Sequence, residues 1–444
     1  MTSTNGGHPR YAPTRPEARA KQRAFLIAAL PEGDDLSELG ELLRTAGVAS
    51  VGRMVQHREQ PHPNTYLGEG KIEELKLALK ASDANVVVSD DELTPRQERN
   101  LEKALGDVPV VDRTAVILDI FADHAQSAEG KLQVELAQLE YNLARMRGLW
   151  THLERIGGGN PLARGPGETQ IETDRRLARD RIAALKRRLD HVRSTRDVQR
   201  AERERAHLPT VALAGYTNAG KSTLLNALTG AEVSVRDRLF HTLDPSTRTM
   251  RLGGRVYLVT DTVGFISKLP HQLVEAFGAT LEETTRADLI LHVVDASAPE
   301  EELDDMLKAV DDVLAEIGAG GQARLLVLNK IDLLDDERRR ELSFRHPGAV
   351  AVSAVSGEDL DELGVRIAAV FEATLRDVDL LVPYREGARL AELHELDGEL
   401  AREDTATGVR VHARLPAPVA ARFARWESAH GPTAARTGGG ARPG

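Results

Sequence analysis

The chain has 444 residues, with 58 Lys and Arg against 69 Asp and Glu, a formal net charge of -11 and no cysteine. This balance excludes a uniformly basic nucleic-acid binder, and the missing cysteine excludes disulfides, thiolate metal sites and cysteine nucleophiles. The length predicts about three domains. No apolar run is long enough for a membrane span and the start MTSTNGGHPR has no signal-peptide core, so a cytoplasmic protein is expected.

Residues 1–22 are Pro, Gly, Thr and Arg with little to bury, which predicts a disordered tail. After them come short β-rich runs: FLIAAL (Phe25–Leu30), VASVGRMVQ (Val48–Gln56), NVVVSD (Asn85–Asp90) and VPVVD (Val108–Asp112). The stretches LSELGELLRTAG, KIEELKLALKAS and TPRQERNLEKAL between them carry helical spacing. Strands alternating with helices mean crossover connections, so residues 23–125 are expected to form a small α/β domain with a parallel sheet.

The spacing then changes. Leu132, Leu136, Leu139, Leu143, Met146 and Trp150 step alternately by four and three, which is the seam of a long helix. Ala178, Ile182, Leu185, Leu189 and Val192 repeat the stepping on a second helix. Between the two, IGGGNPLARGPGETQ (Ile156–Gln170) is rich in Gly and Pro, which predicts a loop. Residues 126–207 are therefore expected to be an antiparallel helical hairpin with a Gly-rich tip at 156–170. Residues 175–205 hold 12 Lys and Arg against 5 Asp and Glu, a surplus of seven positive charges inside an acidic protein. A solvated helix face would explain such a run, and so would a surface turned to a polyanion.

A further domain is expected over residues 208–376 and a small α+β appendage over 377–426, with a charged helix at Gly387–Arg402 and a disordered tail at 427–444. The larger of these opens with the strand TVALA, followed by GYTNAGKS (Gly215, Tyr216, Thr217, Asn218, Ala219, Gly220, Lys221, Ser222) and by Thr223 at the start of a helical pattern. This is the phosphate-loop pattern in its proper strand-to-helix context. The glycines let the backbone wrap an anion, Lys221 supplies a charge to the β- and γ-phosphates, and Ser222 offers a hydroxyl to Mg²⁺.

Downstream, DTVG (Asp261, Thr262, Val263, Gly264) follows the strand RVYLVT. Asp261 is placed to hold Mg²⁺ through a water, and the Gly264 amide to reach the γ-phosphate. Thr242, in FHTLDPSTR, lies where a segment could close over the metal. NKID (Asn329, Lys330, Asp332) and SA (Ser353, Ala354) each end a strand. In this order the motifs converge on the face where doubly wound sheets bind ligands. Asp332 also selects the base: its carboxylate accepts both N1–H and N2–H of guanine. Against adenine a buried Asp332 would lose those partners, a rejection on the order of 10⁴-fold. After DTVG stands Phe265, where many GTPases have a glutamine that orients water, so hydrolysis is expected to depend on another group or a partner. Lys221, Thr242 and Gly264 are the candidate catalytic residues.

YLGEGKIEEL (Tyr66–Leu75) puts glycines at a helix start but lacks the spacing of a phosphate loop; a capped helix explains it. The histidines are scattered without metal-ligand spacing.

Taken together, HPNTYLGEGKIEEL, GGGNPLARGPGETQIETDRR, GYTNAGKST, FHTLDPSTR, DTVGFI and NKID resemble the HflX family of translational GTPases over about residues 23–376. The resemblance implies Mg²⁺-dependent GTP hydrolysis, GTP-dependent association with the 50S subunit, splitting of stalled or idle 70S ribosomes under stress, and stimulation of hydrolysis by the ribosome. It also implies a hairpin lying against rRNA, with Arg164 in the tip loop and Arg187, Arg188 and Arg193 on the basic helix facing phosphates. Two other readings remain open: an Obg-like ribosome-assembly GTPase, and a GTP-responsive RNA-binding module. Nothing in the sequence points beyond a monomer off the ribosome.

Overall fold

The computed structural model describes residues 22–30, 36–156, 166–206, 208–230, 239–240, 246–268, 278–396 and 401–427. Strands β1 (Arg23–Leu30), β2 (Ala49–His57), β3 (Val86–Ser89) and β4 (Val110–Asp112) form a parallel sheet in the order β2-β1-β3-β4. Helices α1 (Ser37–Thr45), α2 (Glu69–Ser82), α3 (Pro95–Ala104) and α4 (Arg113–His124) make the crossovers and the exit. Strand β1 is apolar from Ala24 to Leu30 because both its faces are covered. Phe25 and Ile27 pack with Leu75 and Leu101 on one side, while Ala24, Leu26 and Ala28 pack with Leu39, Leu42 and Phe121 on the other. Helix α3 starts on a reciprocal Thr94–Gln97 cap with Pro95 in its first turn, a combination that satisfies two orphan donors.

Helix α4 is absent from the sequence expectations. It is buried nearly all round, from Arg113 to Phe121, so it has no amphipathic period to detect.

Helices α5 (Ala128–Ile156) and α6 (Pro166–Ala206) follow. Leu132, Leu136, Leu139, Ile182, Leu185, Leu189 and Val192 form one apolar seam between them, so the stepping is realised as packing at these positions, and the Trp150 side chain lies outside the described residues. The loop expected at 156–170 is shorter than its composition indicates, because Ile156 ends α5 and Pro166–Gln170 already belong to α6. Proline in the first helical turn sacrifices no hydrogen bond, since that N–H has no intrahelical acceptor. Arg164 lies outside the described residues, as does Thr242.

The third unit is built from β5 (Thr210–Gly215), α7 (Lys221–Thr229), β6 (Ser246–Leu252), β7 (Arg255–Asp261), α8 (Gly278–Arg286), β8 (Leu289–Asp295), α9 (Glu300–Glu316), β9 (Ala323–Asn329), α10 (Asp336–Arg345), β10 (Val350–Ala351) and α11 (Leu360–Glu372). Its sheet runs β10-β9-β8-β5-β7-β6, parallel except for β6 against β7. Chain order reverses at β5, the position where such sheets open a ligand crevice.

A small antiparallel sheet, β11 (Leu375–Val382), β13 (Val409–Pro416) and β12 (Ala401–Asp404), closes the chain with helices α12 (Gly387–Leu396) and α13 (Ala417–Phe423). The helix expected to reach Arg402 ends at Leu396; Ala401 and Arg402 instead pair with His412 and Val411 in the sheet. Among the described residues no helix is long and apolar enough to cross a membrane.

Candidate nucleotide-binding site

The strand ends bring four motifs together. The loop Gly215–Ser222 leaves β5 and runs into α7, with Asn218 at φ 62° and Gly220 at φ 89° turning the backbone. Two glycines here are required by space as well as by dihedral. A Cβ at Gly215 would lie 2.1 Å from the Val293 carbonyl oxygen, and one at Gly220 would lie 2.2 Å from Asn329 Nδ2. Any side chain at either place would push the loop off the sheet.

Asn329 is the brace behind this loop. Its Nδ2 donates to the Ala219 carbonyl at 2.8 Å and its Oδ1 accepts from the Ala354 amide at 3.0 Å, so the NKID residue ties the phosphate loop to the SA turn. Asp332 Oδ1 accepts from Ser353 Oγ at 2.6 Å. Sequence reasoning treats Asp332 as buried; in the structure it is exposed. A bound base would itself have to supply the desolvation that makes its selection strong. Lys330 sits at φ 66° and donates to Asp295 Oδ2 at 2.6 Å, which places its chain along the same rim.

On the phosphate side, Lys221 is buried and its Nζ donates to the carbonyls of Gly215 (3.0 Å) and Tyr216 (2.8 Å). Burial pulls its ammonium down to about 8, with Asp261 working in the other direction. Ser222 Oγ donates to Asp261 Oδ2 at 2.5 Å, and Asp261 is fully buried at the end of β7. A hydroxyl and a carboxylate this close, beside a lysine, form an oxygen donor set suited to Mg²⁺. Thr217 Oγ1 is buried at the inner wall of the loop with no partner among the described residues, whereas Thr262 Oγ1 is consumed by the Leu213 carbonyl at 2.7 Å. Thr223 follows in the first turn of α7 and is half-buried.

The DTVG segment lies directly over the loop. The Phe265 amide donates to the Gly215 carbonyl at 3.0 Å and the Thr217 amide to the Phe265 carbonyl at 2.7 Å. A Cβ at Gly264 would fall 2.8 Å from Thr217 Cγ2 and 3.1 Å from Lys221 Nζ, so only glycine lets this backbone approach the lysine. The Phe265 ring is buried among Ala214, Leu281, Ile290 and Val310, pointing into the core.

Sequence motifs do not reveal a second ring of residues beyond this one. Tyr216 Oη donates to Glu38 Oε1 at 2.5 Å, and Ser267 and Lys268, just past DTVGF, bond to Glu38 of α1 and to Asp90, just after β3. No local signal marks Glu38 or Arg113, because each acts on residues more than 150 positions away.

Residues 33–122 match the family described as GTP-binding GTPase N-terminal, residues 124–203 the GTP-binding GTPase Middle Region, and residues 210–330 the 50S ribosome-binding GTPase. The chain is 45% identical to GTPase HflX of Lacrimispora saccharolytica, over 92% of this chain and 97% of that relative. It is 45% identical to GTPase HflX of Escherichia coli, over 86% of this chain and 90% of the relative, and 47% identical to that of Magnetococcus marinus, over 85% and 88%. Similarity of this extent cannot be confined to the nucleotide motifs. The chain belongs to the HflX family and is a GTP-binding GTPase.

Proposed function

We propose that this protein is a cytoplasmic GTPase that associates with the 50S ribosomal subunit in its GTP-bound state and splits or rescues 70S ribosomes under stress. The observation that carries this reading is the exposed basic face of α6. Arg181 and Lys186 are engaged by Glu135 and Glu140 of α5, but Arg187 and Arg188 turn outward to solvent. Two arginines on the outer side of a rigid hairpin suit contact with rRNA phosphates. Arg193 extends the same run; its side chain, like Arg164, lies outside what is described.

At the nucleotide, main-chain amides of Gly215–Ser222 wrap the phosphates, Lys221 carries charge to the β- and γ-phosphates, and the Gly264 amide meets the γ-phosphate. Asp332 reads guanine, with Asn329, Lys330, Ser353 and Ala354 shaping the base pocket. Mg²⁺ held by Ser222 Oγ and Thr242, with Asp261 accepting from its water, would neutralise charge on the phosphate oxygens. Hydrolysis forms a bond from water oxygen to the γ-phosphorus and breaks the bond to the β–γ bridging oxygen, which leaves on GDP. With Phe265 facing the core, the water is oriented by a group supplied on the ribosome.

Sedimentation with purified 50S and 70S particles under GTP, GDP and a non-hydrolysable analogue tests the reading. Retention on 50S with the analogue and release with GDP is expected. Equal retention in all three states would reject it.

A further inference from the structure

The N-terminal sheet has its own strand-order reversal, at β1, and its carboxyl-end crevice is occupied by the GTPase domain. Arg113, the residue after β4, is 2% exposed and reaches out of this crevice. Its Nη1 donates to Asp90 Oδ1 at 2.8 Å, and its Nη2 donates to the Ser267 carbonyl at 2.9 Å and contacts Glu38 Oε2 at 2.9 Å. Glu38, in the first turn of α1, accepts from Tyr216 Oη, from the Ser267 amide at 3.3 Å and from Ser267 Oγ. The Ser267 amide also donates to Tyr216 Oη at 2.7 Å. Lys268 completes the attachment, donating to Asp90 Oδ2 at 2.7 Å and Asp91 Oδ1 at 2.8 Å.

The same interface has an apolar part. Val263, Ile266, Leu239 and Phe240 share one core with Leu39, Leu42, Ile117 and Phe121 of α1 and α4. Phe240 meets Phe121 edge-on with ring centroids 4.6 Å apart, and its carbonyl lies 2.8 Å from His124 Nδ1. Phe240 stands two residues before Thr242 in the chain, and Val263 directly precedes Gly264.

We propose that Glu38 and Arg113 are positioning residues for GTP hydrolysis: from the N-terminal domain they hold Ser267 and Tyr216, and thereby fix the Gly264 backbone where the γ-phosphate will sit. The physical reason is preorganisation. Gly264 is already packed against Thr217 and Lys221 Nζ, and its segment is anchored three residues on by a buried ion pair. Engaging a γ-phosphate therefore needs little ordering at the moment of binding or reaction. GDP lacks that phosphate and gains nothing from the fixed Gly264 backbone. The inference rests on the reading that the Gly264 amide meets the γ-phosphate.

The test uses the full-length protein and the variants Glu38→Ala, Glu38→Gln, Ser267→Ala, Glu38→Ala/Ser267→Ala and Gly264→Ala. Affinities for GDP and for a non-hydrolysable GTP analogue are measured with single-turnover hydrolysis at saturating GTP. For Glu38→Ala, analogue affinity and hydrolysis rate are expected to fall about tenfold with GDP affinity within about twofold. Glu38→Gln, which keeps an acceptor, recovers part of the loss, and the double variant is no worse than Glu38→Ala because both act through one hydrogen-bonded cluster. Equal weakening of GDP and analogue would make the cluster merely structural and overturn the proposal. So would an unchanged or tighter analogue affinity while Gly264→Ala loses it. If Gly264→Ala leaves the ratio of analogue to GDP affinity unchanged, the reading of the Gly264 amide fails, and the inference falls with it.

Discussion

Two parallel sheets in this molecule both open a crevice at the carboxyl ends of their strands, and they do opposite things with it. The GTPase sheet lines its crevice with backbone: glycines at 215, 220 and 264, and carbonyls turned onto Lys221. The N-terminal sheet lines its crevice with side chains, the carboxylates of Glu38 and Asp90 around the guanidinium of Arg113, with Asp91 next to Asp90 in the chain. An acidic rim suits an ammonium, and Lys268 fills it. Topology supplied the same opening twice; the residues at the loop starts decided that one takes phosphates and the other takes a piece of the same chain.

The two lysines show the difference most plainly. Lys221 is lowered by burial, and Asp261 is the carboxylate opposing that pull. Lys268 is also desolvated, but Asp90 and Asp91 more than compensate and its ammonium is raised.

Four measurements put this contrast at risk. The largest effect is expected on the GTPase side. Asp332→Asn should weaken GTP on the order of 10³-fold and favour xanthosine triphosphate, measured by calorimetry with both nucleotides. Unchanged GTP affinity would remove Asp332 from the base pocket.

Next comes the other crevice. Arg113→Ala leaves Glu38 and Asp90 facing each other without their buried cation, at a cost of about 3 kcal/mol in denaturant unfolding. A loss under about 0.5 kcal/mol would mean that the crevice is wet and the ion pair solvated.

The pH dependence should separate the two sites. Lys221 must be an ammonium to grip phosphates, and in the free protein it loses its proton as pH rises through about 8. Nucleotide binding above that pH therefore takes up a proton, and GTP affinity should fall by up to about tenfold per unit. The Lys268 attachment, shifted upward, should persist over the same range, so the melting profile of the domain interface should not follow the affinity curve.

The smallest effect concerns the hairpin, where a single surface charge contributes little. Neutralising Arg187, Arg188 and Arg193 together should weaken 50S binding several-fold and reduce the slope of log affinity against log salt, by about 0.7–0.9 for each phosphate no longer neutralised. An unchanged slope would move the rRNA-facing surface elsewhere.

Much of the nucleotide site was legible before any fold was known. GYTNAGKS, DTVG, NKID and SA are each contiguous and each stands at a strand end, so spacing alone exposes them. The hairpin seam was legible for the same reason, because one helix face repeats every seven residues. Helix α4 escaped detection because burial on all sides erases the period. The end of α12 and the start of α6 were displaced because Pro, Gly and charge signal a boundary only to within a few residues.

Residue order by itself determined that this is a GTPase with a helical arm, since phosphate capture and helix pairing depend on neighbours a few positions apart. Tertiary structure alone decided what holds the chain just past DTVG. Glu38 and Ser267 are 229 positions apart, and Arg113 and Ser267 are 154 apart. Pairings that distant leave no periodicity and no spacing. They exist because two sheets packed end to end enclose a charge that must find its partner across the interface or remain unsatisfied.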